Sequence, residues 1–249
     1  MYTKLITSIL ALIITLTFFT SCEDQSIMLA PTDFGYEYYP VEVGNYWIYQ
    51  MDSVTVMSGG NVKLETSSYV REEITNSFIN AEGDTAHVLT ISKSPTLDGS
   101  YNITDTYRLE ITGSRVTRTE ENLSFIKLFF PITEGDELDA NLFDHRIKVN
   151  IGQQEMEPYL EWQFKVLNEK FDTTINNVPY EDLAVIQQAD YFTDLDIRKA
   201  TEYYAPEIGL VRREHTILHS QCGTPCLDQP WLDKAQVGYT LVQTLIDYN

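Results

Sequence analysis

Positive charge is what this chain has least of for its size. Lys and Arg number 17 against 37 Asp and Glu, a formal net charge of −20. A surface of that sign repels phosphate backbones, which argues against nucleic acid as a partner, and it repels anionic headgroups in the same way. High negative charge supports solubility and does not by itself name a function. Histidine and cysteine are also scarce, at four and three residues, so metal and nucleophile chemistry has little to draw on. The chain has no Gly-x-Ser-x-Gly elbow and no His-Glu-x-x-His, phosphate loop or dinucleotide fingerprint. No catalytic residue, no cofactor-binding residue and no cofactor is assigned. A pair of carboxylates for glycoside hydrolysis is a spatial arrangement that residue order does not reveal. A carboxylate-based glycan hydrolase therefore stands as the alternative to a non-catalytic role.

What is present begins at the first residue. Met1-Tyr2-Thr3-Lys4 carries one positive charge, an apolar stretch runs from Leu5 to Phe19, and Thr20-Ser21-Cys22 follows. A basic start, a short apolar core and small residues before a cut site make an export signal. The stretch is too short and too rich in Thr and Ser to serve as a membrane-spanning helix, which needs about 20 apolar residues. Phe19-Thr20-Ser21-Cys22 resembles the bacterial lipobox, with Phe where Leu is usual. That resemblance implies a diacylglycerol on the Cys22 thiol, cleavage before it and acylation of the new amino terminus. More than one acyl chain is what makes such an anchor firm. Glu23 and Asp24 follow at once and resemble the surface-export signal of Bacteroidota lipoproteins. The expected location is the outer membrane, lipid-anchored, facing the periplasm or the cell exterior. The expected division is a signal peptide over residues 1–21, a lipidated Cys and tether over 22–30, and one β domain over 31–249. Removing residues 1–21 takes away Lys4 and no acid, so the mature chain is one unit more negative than the whole.

With Cys22 lipidated, two cysteines remain, in Cys222-Gly223-Thr224-Pro225-Cys226. An oxidising compartment favours a disulfide between them, with Gly223 and Pro225 forming the turn. The other reading is a tetrahedral zinc held by His215, His219, Cys222 and Cys226, because residues four apart in a strand share a face. The acidic runs Glu134-Gly135-Asp136-Glu137-Leu138-Asp139 and Asp194-Leu195-Asp196 do not match calcium-loop spacing and read as solvated loops.

Period-two alternation dominates the rest. Tyr101, Ile103, Tyr107, Leu109 and Ile111 fall on one face, with Asn102, Thr104, Thr106, Arg108, Glu110 and Thr112 on the other. Leu160, Trp162, Phe164 and Val166 repeat the pattern, as do Ile147, Val149 and Ile151. That is the signature of half-buried strands. Turn signals separate them at Ser58-Gly59-Gly60-Asn61, Glu82-Gly83-Asp84, Asp98-Gly99, Thr112-Gly113-Ser114 and Asn176-Asn177. Such short connections imply antiparallel hairpins. The best helical candidates, Tyr180–Leu183 and Trp231–Gln236, are short. The predicted class is all-β and antiparallel: a strongly curved sheet or half-barrel, with a two-layer sandwich as the alternative.

Two motifs bracket most of this domain. Tyr38-Tyr39-Pro40-Val41 with Val43-Gly44-Asn45-Tyr46-Trp47-Ile48-Tyr49, and Glu202-Tyr203-Tyr204-Ala205-Pro206-Glu207-Ile208-Gly209-Leu210-Val211, resemble segments of a group of Bacteroidota outer-membrane lipoproteins of no assigned activity. The resemblance implies a half-barrel similar to the lipoprotein carriers LolA and LolB, whose concave face holds acyl chains. The functional expectation is a non-catalytic envelope lipoprotein, anchored to the membrane by lipid, that binds an apolar ligand or an envelope protein on its curved sheet. A purely structural part of a surface complex is its bland form. Asp52-Ser53-Val54, Asp84-Thr85-Ala86 and Asp172-Thr173-Thr174 resemble the Bacteroidota O-glycosylation triplet, and each also reads as ordinary turn and strand chemistry.

Overall fold

The computed structural model describes residues 34–139 and 145–249. The expectations for residues 1–30, including Cys22, Glu23 and Asp24, fall outside the described residues. The described chain forms fourteen strands: β1 (Tyr46–Met57), β2 (Val62–Ile79), β3 (Thr85–Ser94), β4 (Asn102–Ile111), β5 (Arg115–Glu120), β6 (Leu123–Phe129), β7 (Glu137–Leu138), β8 (Val149–Ile151), β9 (Gln154–Met156), β10 (Trp162–Ile175), β11 (Val178–Phe192), β12 (Asp196–Ala205), β13 (Gly209–His219) and β14 (Val237–Tyr248). Twelve of them make one antiparallel sheet in the order β6-β5-β4-β3-β2-β1-β14-β13-β12-β11-β10-β7, while β8 and β9 form a separate ribbon. The sheet is not closed into a barrel, and no second layer of a sandwich is present among the described residues.

Local turns write most of this topology. Asn176 and Asn177 both take left-handed backbone, with φ of 49° and 65°, and join β10 to β11 across the Ile175–Val178 pair. Two consecutive positive φ values give the turn whose twist matches the flanking strands. Antiparallel neighbours in chain order run outward from β1 to β6 and inward from β10 to β14, most of them joined by short turns and β13 to β14 by residues 220–236. The pairing of β1 with β14, from Trp47–Tyr248 to Val56–Gly238, joins the two halves in mid-sheet.

The sheet then curls. Phe125 lies on β6 and Trp162 on β10, ten strand steps apart in the sheet order. On a flat sheet they would be roughly 48 Å apart at about 4.8 Å per step; their ring centroids are 6.3 Å apart. Register shifts interrupt the β1/β14, β10/β11 and β5/β6 ladders, and such bulges bend strands and raise local twist. The inward face carries the main core, with Tyr49, Ile74, Leu89, Leu109, Val116, Leu128, Phe164, Ile186, Tyr204 and Val211 all buried within it.

Three sequence expectations change. Tyr180–Leu183 is not helical; it lies inside β11. Asp182 there has a φ of 53°, at an irregular stretch of the β10/β11 ladder, so a bulge accounts for the broken alternation. Ile103 does not share a face with Leu109: it is 72% exposed while Leu109 is fully buried. The cause is a register shift between Ile91 and Ser92, which pairs Ile91 with Asp105 and Ser92 with Ile103. Trp231–Gln236 contributes one helical turn, Trp231–Lys234.

The two sequence motifs dock on each other. The Trp47 indole N–H donates to the Ile208 carbonyl at 2.6 Å, and the Tyr49 hydroxyl donates to Leu210 O at 3.1 Å. The Glu207 amide donates to Glu37 O at 2.8 Å. Gly209 has a φ of +92°, and a side chain there would point at Pro40 and the Trp47 ring. Together these residues make the floor under the centre of the sheet.

Candidate functional site

Above that floor the inward stripes stop being apolar. Val70 and Ile74 flank Glu72 on β2, Val116 precedes Arg118 and Glu120 on β5, and Ala200 and Tyr204 flank Glu202 on β12. Val211 precedes Arg213 and His215 on β13, and Leu241 and Leu245 flank Gln243 on β14. Alternate residues on a strand share a face, so each charge points inward with its apolar neighbours. Of these, Val70, Glu72, Arg118, Glu120, Arg213, His215, Leu241 and Gln243 border a cavity of about 250 Å³, reached also by Lys93, Asp105, Tyr107 and Lys127 and by Phe125, Tyr159 and Trp162, while Glu202 is buried beside it. Four of the 17 Lys and Arg line this one space.

Two neighbouring ion clusters adjoin it. In the first, Arg118 Nη1 donates to Glu72 Oε2 at 3.1 Å and to Oε1 at 3.2 Å. Its Nε lies 2.8 Å from Glu120 Oε1, but the contact is off the N–H direction and makes no hydrogen bond. The guanidinium rests 4.9 Å from the Tyr107 ring centroid. In the second, the fully buried Glu202 is the hub. It accepts from Lys127 Nζ at 3.2 Å, Arg213 Nε at 2.7 Å, Gln188 Nε2 at 2.6 Å and the Tyr204 hydroxyl at 2.6 Å. Arg213 Nη1 also donates to Gln243 Oε1 at 3.1 Å.

Burial alone would neutralise such groups, and the partners decide the outcome. Burial resists ionisation of Glu202, but Lys127, Arg213 and the Tyr204 hydroxyl outweigh it and hold the carboxyl far below its usual range. Glu120, partly buried with 26% of its side chain exposed, is likewise held low, by Arg118 and Lys127. Burial lowers the Lys127 ammonium, with Glu202 opposing that shift. His215 is pushed down to about 3 by burial and by the Arg213 guanidinium beside it, so its imidazole is neutral at physiological pH. Glycoside hydrolysis needs one carboxyl raised to act as an acid. Glu120 and Glu202 are both shifted the other way.

The residues singled out from sequence are dispersed. Cys222 and Cys226 form a disulfide, with Cα atoms 5.7 Å apart, which takes both sulfurs out of a zinc set. His215 lies at the cavity, 5.6 Å from Trp162 between ring centroids, whereas His219 Nδ1 is 2.9 Å from Asp196 at the end of β13. Asp196 also accepts from Arg198 at 2.9 Å, and Glu137 pairs with Lys165, so the acidic runs are engaged locally. Among the described residues no group of three His, Cys, Asp or Glu is arranged to hold a metal, and no helix is long and apolar enough to cross a membrane. Ser53 lies within β1, Thr85 begins β3, and Thr173 lies within β10.

The disulfide closes a five-residue loop, for which loop entropy gives at most about 2 kcal/mol. Cys222→Ser with Cys226→Ser is expected to lower Tm by less than about 8 °C and to leave the cavity's response to added compounds unchanged. Differential scanning calorimetry of the oxidised and double-Ser proteins measures this.

The central ion clusters were not among the residues singled out from sequence. The signal was there: Asp105 occupies an inward position in the very stripe read as apolar through Tyr107, Leu109 and Ile111, and Glu72, Glu202 and Arg213 break their stripes in the same way. Their convergence depends on the curl and on pairings between distant strands, which alternation within one strand does not encode.

No protein-family model and no curated protein matches the chain. Among solved structures, it is similar to an inferred lipoprotein of Parabacteroides distasonis ATCC 8503, at 10% identity and a TM-score of 0.36, over 85% of this chain and 98% of that one. It is similar also to an inferred exported protein of Bacteroides fragilis NCTC 9343 with a YmcC-like fold, at 10% identity and a TM-score of 0.36, over 84% of this chain and 97% of that one.

Proposed function

We propose that this chain is a lipid-anchored cell-envelope protein that holds a small polar molecule in the curve of its sheet without transforming it. The anchor rests on the export signal and on Cys22 in its lipobox-like context. The binding role rests on one observation: a cavity of about 250 Å³ bordered by inward-facing charged side chains. Stability alone does not call for such a lining. A buried ion pair replaced by well-packed apolar residues is often neutral or stabilising. Ligand sites, by contrast, combine aromatic walls with a few placed polar groups. The same lining turns the expectation of an apolar ligand towards a polar one, because an acyl chain against Glu72, Arg118 and Lys127 would lie against charges it cannot solvate.

Filling the space is the test. Leu241 lies on the lining, and Leu241→Trp places a ring where a ligand would sit. Thermal denaturation of wild type and Leu241→Trp against a panel of small polar compounds is expected to give shifts in the wild type that vanish in the variant. If no compound shifts the wild type, or if both proteins shift alike, the binding role fails. For the anchor, Cys22→Ser is expected to leave the protein unlipidated and its signal uncleaved, and unchanged incorporation of labelled fatty acid in the variant would refute it.

A further inference from the structure

The curl that makes the cavity is not closed by the sheet itself. β6 ends the strand order on one side and pairs only with β5. On the other side β7 covers only Phe164 and Lys165 of β10. No backbone ladder joins β6 to β10 among the described residues. Their side chains meet where Phe125 and Trp162 border the cavity. Nearer the floor, the two edges are held by a different part of the chain.

That part is residues 34–39. Tyr36 reaches the β6 side. Its hydroxyl donates to the Gly113 carbonyl, in the turn between β4 and β5, at 3.0 Å. Its ring meets Phe130, just past β6, edge to face at 4.7 Å. The Phe34 carbonyl accepts from the Ile132 amide at 3.4 Å, and Gly35 is tight against the Ile132 side chain. Tyr38 reaches the β10 side. Its hydroxyl donates to the Asp182 carbonyl at 2.6 Å, with the Glu169 carbonyl at 3.3 Å. Both carbonyls lie in the irregular stretch of the β10/β11 ladder. Between the two tyrosines, the Glu37 carbonyl accepts from the Glu207 amide in the turn after β12.

One short segment therefore ties together edges that the strand pairing leaves apart. It also touches the layer under the cavity. The Tyr39 ring lies 5.9 Å from that of Tyr204 between centroids. The Tyr204 hydroxyl holds Glu202, and Glu202 holds Lys127 of β6. The middle of the sheet has no such need, because β1 and β14 each pair on both sides. Elements with few backbone partners open first and at the least cost, which points to β6 and to the part of β10 beyond β7.

We infer that residues 34–39 are a latch: they hold the β6 and β10 edges together, and their release opens the curl, and the cavity with it, while the middle of the sheet stays folded. Hydrogen exchange read by mass spectrometry tests this without a ligand, so the outcome is separate from that of the binding role. Tyr36→Phe with Tyr38→Phe keeps both rings and removes both hydroxyls, leaving the carbonyls they served without those donors. Amides of β6 and of residues 166–175 are expected to exchange at least tenfold faster than in the wild type. Those of β1 and β14 are expected to stay within about twofold, because their opening does not pass through the latch. Unchanged exchange in β6 and β10 overturns the inference. An equal rise in β1 and β14 overturns it too, since that is general destabilisation and not a latch. Should the double variant not fold, Tyr36→Phe alone decides. Tyr36 is 36% exposed, its hydroxyl makes a single bond to Gly113, and the same contrast between β6 and the centre is read.

Discussion

Glu202→Gln is expected to destabilise the fold by about 3–5 kcal/mol, the cost of removing one partner from a buried ion cluster. The substitution is nearly isosteric, so the loss does not come from packing. It comes from Lys127 and Arg213, which are 5% and 8% exposed and would be left without a neutralising charge. At about 2–4 °C per kcal/mol for a chain of this size, Tm should fall by roughly 6–20 °C. Adding Lys127→Met to Glu202→Gln removes one of the two stranded cations and is expected to recover part of the loss. Urea denaturation of both variants measures this, and a Glu202→Gln protein as stable as wild type would mean that the cluster is not buried as described.

Acid titration carries the same cluster's signature. A carboxyl whose folded pKa is depressed adds stability that is present above its unfolded pKa of about 4.3 and is lost as pH falls towards the folded value. Glu202 and Glu120 both contribute in that sense. His215 acts over a higher window. Its folded pKa of about 3 lies below the ordinary 6.5, so the unfolded chain takes up its proton first and stability falls as pH drops from 6.5 towards 3. Wild-type stability should thus begin to decline near pH 6.5 and steepen below about pH 4. His215→Gln flattens the upper part of that profile, and Glu202→Gln flattens the lower part.

What the sequence makes legible is the part of the fold that is local. Ser58–Gly60 and Asn176-Asn177 mark hairpins because glycine and asparagine tolerate left-handed backbone, and the structure turns at both. Alternation locates β10 because Trp162, Phe164 and Val166 are fully or nearly fully buried on one face. Where alternation misleads, a bulge intervenes: it sends Ile103 outward and makes Tyr180–Leu183 resemble a helical turn. Lys127 and Glu202, 75 residues apart, meet because the sheet curls β6 towards β12. Nothing in either strand's own pattern specifies that meeting. What the pattern does offer is the anomaly of a charge in an apolar stripe, which is legible once the inward face is known. The reading of His215 with His219 fails for a related reason. Same-face spacing holds along a regular strand, but β13 ends at His219, where Asp196 on the neighbouring strand takes the ring.

Trp47→Ala is expected to cost about 3–5 kcal/mol, as for other buried aromatic truncations, and the contrast with Trp47→Phe separates the two reasons. Trp47 is 6% exposed. Its ring packs against the Gly209 turn while its N–H meets the Ile208 carbonyl. Phenylalanine keeps most of the ring contact and leaves that carbonyl without its donor, for about 1–3 kcal/mol. Alanine adds the void. The turn affected sits where β12 becomes β13, next to Tyr204, whose hydroxyl holds Glu202, so the damage should reach the cavity above. Trp47→Ala is therefore expected to weaken any ligand response at the cavity even under conditions where the variant is fully folded, while Trp47→Phe leaves it close to wild type. Equal stability of the Ala and Phe variants would show that the hydrogen bond, not the ring, joins the two motifs.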